Sequence, residues 1–299
     1  MQNNNQLDID AINKNIRNDI LKFKPKQELG QNFIFDEMIL SKIAEACCSA
    51  DNQSILEIGS GPGTLTHELV QKGGNVLALE IDESLIHIAK KNLGHNQKAT
   101  FLSMDIMQTN ISELFDKKLI SAPYVAAGNI PYYITQPILQ KLLFADPKPT
   151  KIVLMTQKEL GERIVGGENK ESFLSLLVQI YGVAEKIFDV PASAFWPIPK
   201  VNSTLIAITP YAENSFEDGF ILDLLSVIKI GFSAPRKQIH NVFKMSLDIN
   251  SSKLVQMLSE SNISSKARAQ HISLESWVLL TGYFKKEFSV MLSELRNAY

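Results

Sequence analysis

The sequence predicts an α/β protein, a mostly parallel, doubly wound sheet followed by a small C-terminal helical domain. Three observations carry that expectation. Short apolar runs alternate with helix-length amphipathic stretches from Gln31 to about residue 165. A polar or acidic residue closes each of four consecutive runs: Glu57 lies in the first, and Glu80, Asp105 and Asn129 follow the next three. After Tyr211 the strand pattern stops and only helical periodicity remains.

The elements follow in order. Residues 1–27 are rich in Asn and Gln and are expected to form a flexible extension, although Ile12, Ile16 and Ile20 sit at the spacing of a short amphipathic helix. A helix is expected at 36–49, a strand at 55–58, a glycine-rich turn, and a helix at 64–72. A second strand at 76–79 ends at Glu80 and Asp82, before a helix at 84–92. A third strand, 100–104, ends at Asp105; a fourth, 125–127, ends at Asn129, and helical sequence resumes after Thr135. A fifth strand, 152–155, leads into a helix at 158–165. Two β-like segments, 187–190 and 204–209, flank a proline-rich loop and complete the sheet. Helices are expected at 220–232, 237–247, 253–259 and 274–295, the last broken near Gly282. The expected domains are thus 28–210 for the sheet and 211–299 for the helices.

Composition narrows the class. With 45% hydrophobic and 21% charged residues the 299-residue chain can build an ordinary globular core. No apolar run approaches the roughly 20 residues of a membrane span, so no membrane partner is expected. The N-terminus is polar and carries Asp8, Asp10 and Asp19, unlike a signal or transit peptide. Cys47 and Cys48 are adjacent, which suits neither a disulfide framework nor a zinc site, and a cytoplasmic location is expected. The five His residues are scattered, so no metal is expected either. A net charge of -2 means that any nucleic-acid contact must use a local basic surface.

In open α/β sheets ligands bind at the carboxyl ends of the strands. A lone acidic residue there is ordinarily a helix cap, but four polar residues at four consecutive strand ends are more informative. The turn after the first strand is Gly59-Ser60-Gly61-Pro62-Gly63. Alternate glycines remove side chains from one side of the turn, so that a ligand can lie against backbone. A dinucleotide site would carry G-x-G-x-x-G and receive a pyrophosphate. The G-x-G-x-G spacing instead resembles the nucleotide turn of class I methyltransferases. Glu80, 21 residues beyond Gly59, is placed to accept both ribose hydroxyls, a role that would serve NAD equally. Asp105 is placed to accept from an adenine amine. A nicotinamide enzyme therefore stays open at this point, disfavoured by the glycine spacing.

The fourth strand ends in Gly128-Asn129-Ile130-Pro131-Tyr132. Asn and Pro are common turn residues, and a Tyr often merely packs. The chemistry of an amino nitrogen gives the sequence a sharper meaning. The lone pair of adenine N6 is delocalised into the ring, so the amine must pyramidalise before it attacks a sulfonium methyl. Two acceptors on its N–H groups favour that geometry and the charge that develops. The Asn129 side-chain oxygen is one, and a backbone carbonyl at Ile130 or Pro131 the other, with Pro131 stiffening the turn. Tyr132 offers a face on which the base can stack. Small or absent side chains at Gly128 and Asn129 are expected to leave room for a second methyl. In the loop from Ala194 to Lys200, Phe195 is a candidate second face of the base and Lys200 a candidate phosphate contact.

Assembled, these segments resemble a known family. Gln31-Asn32-Phe33-Ile34, EIGSGPGTLT, NIPYYIT, VPASAFWPIPKVNS and FSAPRKQIHN occur in the order found in the KsgA/RsmA family of small-subunit rRNA adenine N6,N6-dimethyltransferases. The resemblance implies a class I methyltransferase, Rossmann-like fold with S-adenosyl-L-methionine as cofactor. It implies that Asn32, Ile34, Gly59, Gly61, Glu80, Asp105 and Asn129 line the cofactor site. It further implies dimethylation of two adjacent adenines near the 3′ end of 16S rRNA in the small ribosomal subunit, with the helical domain docking there. A monomer is expected. The EIGSG and NIPY segments also resemble the Erm enzymes of large-subunit rRNA; the SAFWPIPKV loop and Arg236-Lys237 favour the small-subunit branch. Ser60 stands where that branch usually has Pro, and Pro235 where a basic residue is frequent. Seven basic residues between Lys229 and Arg268, Arg236 and Lys237 among them, are opposed only by Asp248 and Glu260, as suits a phosphate-reading surface. An assembly factor whose binding outweighs its catalysis is the alternative from a different class.

Overall fold

The computed structural model describes residues 3–49, 51–131, 134–167, 171–247 and 249–296. Where a flexible extension is expected the chain forms α1 (Asn3–Ile20), with Ile16 and Ile20 both fully buried. Those two, with Ile12 beside them, form the apolar stripe that joins the main core. Tertiary burial of one face thus outweighs the poor helix propensity of the Asn-rich sequence. The helix is also tied by Asp19, whose carboxylate lies 2.8 Å from Lys91 Nζ.

β1 (Phe33–Ile34) and α2 (Glu37–Cys47) precede β2 (Ser54–Ile58), α3 (Thr64–Gln71), β3 (Asn75–Glu80), α4 (Glu83–Leu93) and β4 (Ala99–Ser103). The chain continues through α5 (Ile111–Asp116), β5 (Tyr124–Asn129), α6 (Thr135–Leu143), β6 (Lys151–Gln157) and α7 (Lys158–Val165). Then come α8 (Phe173–Tyr181), β7 (Gly182–Val190), β8 (Phe195–Trp196) and β9 (Ser203–Pro210). Seven strands form one sheet in the order β4-β3-β2-β5-β6-β9-β7, with β1 and β8 paired separately. β4, β3, β2, β5 and β6 run parallel to their neighbours, whereas β9 is antiparallel to β6. The central strands are buried along nearly their whole length because helices cover both faces.

The chain divides into two compact units, residues 1–161 with 184–210, and residues 162–183 with 211–299. The expected boundary at 211 is therefore incomplete, because 162–183 belong with the helices. The reason is α8. Its buried Leu174, Leu176, Leu177, Val178 and Ile180 make it apolar on nearly every side, and it packs on helices of the second unit. A run so uniformly apolar carries no helical period, which hides it in the sequence.

The rest of that unit comprises α9 (Asp218–Gly231), α10 (Ile239–Ser246), α11 (Ser251–Glu260), α12 (Leu274–Glu287) and α13 (Ser289–Arg296). Trp277, Phe243 and Phe284 are fully buried at its centre. A Cβ at Gly231 would run into the Trp277 indole, so glycine is what lets α9 approach the ring. The break between the last two helices falls at Phe288, not near Gly282. Gly282 sits inside α12 with open space around it, and one glycine on an exposed face does not end a helix. Among the described residues no helix is long and apolar enough to cross a membrane.

Candidate active site

The strand order reverses about β2: β3 and β4 extend to one side, β5 and β6 to the other. A crevice opens where two such halves part, at the carboxyl ends of β2 and β5. The ends meet closely. A Cβ at Gly128 would lie 2.5 Å from the Ile58 carbonyl oxygen, so no other residue permits this approach. The missing side chain thus brings two strands together and does not make room for a second methyl, contrary to the expectation from sequence.

The cleft there holds about 340 Å³ and is lined by residues 29–34, the turn from Glu57 to Pro62, Glu80, Asp105 and residues 129–131. Only one of the three turn glycines faces open space. Gly59, at φ 72°, would place a Cβ 3.8 Å from its nearest neighbour, the Asn129 carbonyl oxygen. Gly63, at φ 91°, would strike Leu93 at 2.9 Å, so it serves the packing of α3 on α4. At Gly61 a Cβ would meet the Phe33 ring at 3.3 Å.

Glu80 does more than await a ribose. Its Oε2 accepts the Gly61 N–H at 2.8 Å, and its Oε1 accepts the N–H groups of Ile81 and Asp82, each at 2.9 Å. Burial pushes its carboxyl pKa up, and these three backbone donors pull against that. Glu80 therefore fixes the turn before it meets any ligand.

Glu57, read in the sequence only as one of the four polar strand-end residues, is also a cleft residue. It lies on the cleft wall, 1% exposed, and accepts from the Thr66 hydroxyl at 2.5 Å. Burial raises its pKa to about 8; the Thr66 hydrogen bond opposes the shift and the charge of Glu80 adds to it. Its position within one strand residue of the turn is the available signal. Ser60, in the turn itself, has a buried hydroxyl without a hydrogen-bond partner.

Asp105 stands beyond β4 on the cleft wall, where its Oδ1 accepts the Met107 N–H at 2.8 Å. Ile34 lines the cleft and pairs with Phe195 across β1 and β8. Asn32 contributes backbone: its carbonyl accepts from Asn129 Nδ2 at 2.9 Å, while its own side-chain amide donates to the Gly30 carbonyl. With its nitrogen so engaged, Asn129 directs Oδ1 elsewhere as an acceptor. Pro131 also lines the cleft, and its carbonyl accepts the Ile134 N–H at 3.2 Å.

Tyr132 lies outside the described residues. Phe195 departs from expectation: it is 3% exposed, packed in the main core and not among the residues that line the cleft. Its half-buried neighbour Trp196 stacks on Phe33, with centroids 6.4 Å apart. Lys200 is exposed in the loop before β9. In the second unit Arg236 and Lys237 are exposed between α9 and α10. Lys253, part of the expected basic surface, is instead tied to Glu287 and lies over the Phe288 ring.

Bare backbone at Gly59, the carboxylate of Glu80 at the next strand end and the unpartnered Ser60 hydroxyl suit a nucleoside without phosphates. Sheet order and cleft together define a class I methyltransferase. A family model described as ribosomal RNA adenine dimethylase matches residues 22–286, and the chain belongs to that family. It is thus an enzyme that dimethylates adenine in ribosomal RNA. Ribosomal RNA small subunit methyltransferase A of Fusobacterium nucleatum is 34% identical over 268 residues, covering 89% of this chain and 99% of that protein. The protein of the same name from Clostridioides difficile is 33% identical over 269 residues, covering 89% and 93%. Two crystal structures share the fold. The 23S rRNA methyltransferase ErmE has a TM-score of 0.66 at 23% identity, covering 84% of this chain and 98% of that one. A dimethyladenosine transferase from Plasmodium falciparum has a TM-score of 0.68 at 24% identity, covering 84% and 96%.

Proposed function

We propose that the protein uses S-adenosyl-L-methionine to dimethylate N6 of two adjacent adenines near the 3′ end of 16S rRNA, acting as a cytoplasmic monomer on the small ribosomal subunit. The observation that supports this reading is the Asn129 amide, anchored through its nitrogen so that its oxygen is left to accept from a substrate amine. When bound, the cofactor supplies an electrophilic methyl on sulfonium. Gly59 and Ser60 would receive its methionine part, Glu80 would accept from the ribose hydroxyls, and Asp105 would accept from its adenine amine. Asn129 Oδ1 holds one N–H of the target amine and a backbone carbonyl at Ile130 or Pro131 the other, which favours a pyramidal nitrogen and the charge it acquires. After the first transfer the methylated nitrogen releases one proton to water, and its remaining N–H is held by one of the two acceptors with the methyl turned aside. Tyr132 stacks on the base, and Lys200, Arg236 and Lys237 meet phosphates.

The test is incubation of labelled cofactor with unmethylated small and large subunits, followed by mass spectrometry of the digested rRNA. Dimethyladenosine in small-subunit RNA is the expected product. Monomethyladenosine alone, or methylation confined to large-subunit RNA, overturns the reading.

A further inference from the structure

Residues 26–34 cross the cleft with little regular structure to hold them. They contain a single short turn, Gln27–Leu29, and the two-residue strand β1. What fixes them is a set of side-chain bonds that converge on one buried carboxylate. Gln31 Nε2 donates to Asp82 Oδ2 at 2.9 Å, and Lys26 Nζ lies 3.0 Å from the same oxygen. Gln31 Oε1 in turn accepts the Lys26 N–H at 2.7 Å, which settles the orientation of its amide. The Asp82 side chain is 1% exposed, and its Oδ1 caps α4 by accepting the Ser84 N–H.

Asp82 reaches both halves of the reaction. Its own N–H donates to Glu80 Oε1, on the carboxylate that also fixes Gly61. Through Gln31 it holds the adjacent Asn32, whose carbonyl anchors the Asn129 amide. We propose that Asp82 is a positioning residue for methyl transfer, acting through Gln31 and, more weakly, Lys26 to register the cofactor wall against Asn129. The inference rests on the reading of the cleft as a cofactor site.

Gln31→Leu is the informative variant: it keeps size and removes the donor, while the α4 cap stays intact. A hydrogen bond to a charged, buried acceptor carries about a tenfold effect or more. The dissociation constant for S-adenosylhomocysteine, measured by calorimetry, should rise about tenfold. The single-turnover rate at saturating cofactor and RNA should also fall about tenfold, with the KM for RNA unchanged. Lys26→Met, at a half-exposed pair, should show at most a few-fold effect, and Lys26→Arg should behave as wild type. In a double-mutant cycle, Gln31→Leu should add nothing to Asp82→Asn, because both remove the same bond. If Asp82→Asn does not fold, the Gln31→Leu result decides alone. Wild-type affinity and rate in Gln31→Leu, or additive effects in the cycle, overturn the proposal. Failure of wild-type protein to bind S-adenosylhomocysteine would instead reject the cofactor reading itself.

Discussion

Asn129 Nδ2 donates to the Asn32 carbonyl at 2.9 Å across 97 residues of sequence. An amide held by its nitrogen presents its oxygen on the opposite side, so a hydrogen bond outside the reacting atoms sets the polarity of the acceptor. Asn129→Asp keeps the acceptor but replaces the donating NH2 with a second oxygen set against the Asn32 carbonyl, and Asn129→Ala has neither group. Both should lower single-turnover methylation a hundredfold or more, on the order of 3 kcal/mol. Binding of the variants to small subunits should persist, as a filter-binding assay would show. Turnover within tenfold of wild type would remove Asn129 from the chemistry.

Glu80→Ala should weaken cofactor binding by about 1.5–3 kcal/mol, the range for hydrogen bonds to a charged group. Because three backbone N–H groups also lose their acceptor, the variant should melt earlier even without ligand. Glu80→Gln brings an NH2 among those donors and should lose stability too. Calorimetry and thermal melts separate the effects; an unchanged apo melting temperature would contradict the tie between Glu80 and the turn.

Glu57 predicts a pH dependence. Its pKa is about 8 in the folded protein and 4.5 in a free side chain, so the folded state holds the extra proton between those values. Stability from this group is fully present below about pH 4.5 and is lost as pH rises toward 8, by a few kcal/mol at most. Glu57→Gln can still accept from Thr66 without ionising. The ligand-free variant should therefore melt above wild type at pH 8 and alongside it at pH 5. Equal melting temperatures at both would show that the carboxyl is charged in its buried site.

Ile16→Asp places a charge in the main core and should destabilise the protein by about 3 kcal/mol or more, read by urea unfolding. A flexible extension would tolerate the change without effect.

Arg236→Ala with Lys237→Ala should reduce the slope of log affinity against log salt for small subunits by nearly 2, about 0.9 for each phosphate that the protein no longer neutralises. Cofactor affinity should not change. Identical slopes would put the docking surface elsewhere.

Much of this architecture is legible in the sequence because its signals are local. Strands β2 to β6 announce themselves as apolar runs between turns, and the glycine turn and Asn129 are contiguous motifs. What escapes depends on partners distant in sequence. α1 looks mobile because its Ile stripe has meaning only beside the core it joins. α8 lacks a polar face, so periodicity has nothing to detect. Phe195 looks available for stacking until β8 pairs with β1, 161 positions away in sequence, and its ring is packed into the main core. Glu57 reads only as the polar residue of a strand, since burial is a property of the surroundings.

The interruption of the sheet unit by residues 162–183 bears on how such an enzyme is cut or recombined. The peptide passes from one unit to the other three times, so no single crossover in the gene separates them. A product ending at residue 210 would keep α8 while losing α9 and α12, and its leucine-rich surface would be left to self-associate. To graft the helical portion of one relative onto the sheet of another requires exchanging 162–183 together with everything beyond 210. The two stretches should accordingly be inherited as one block.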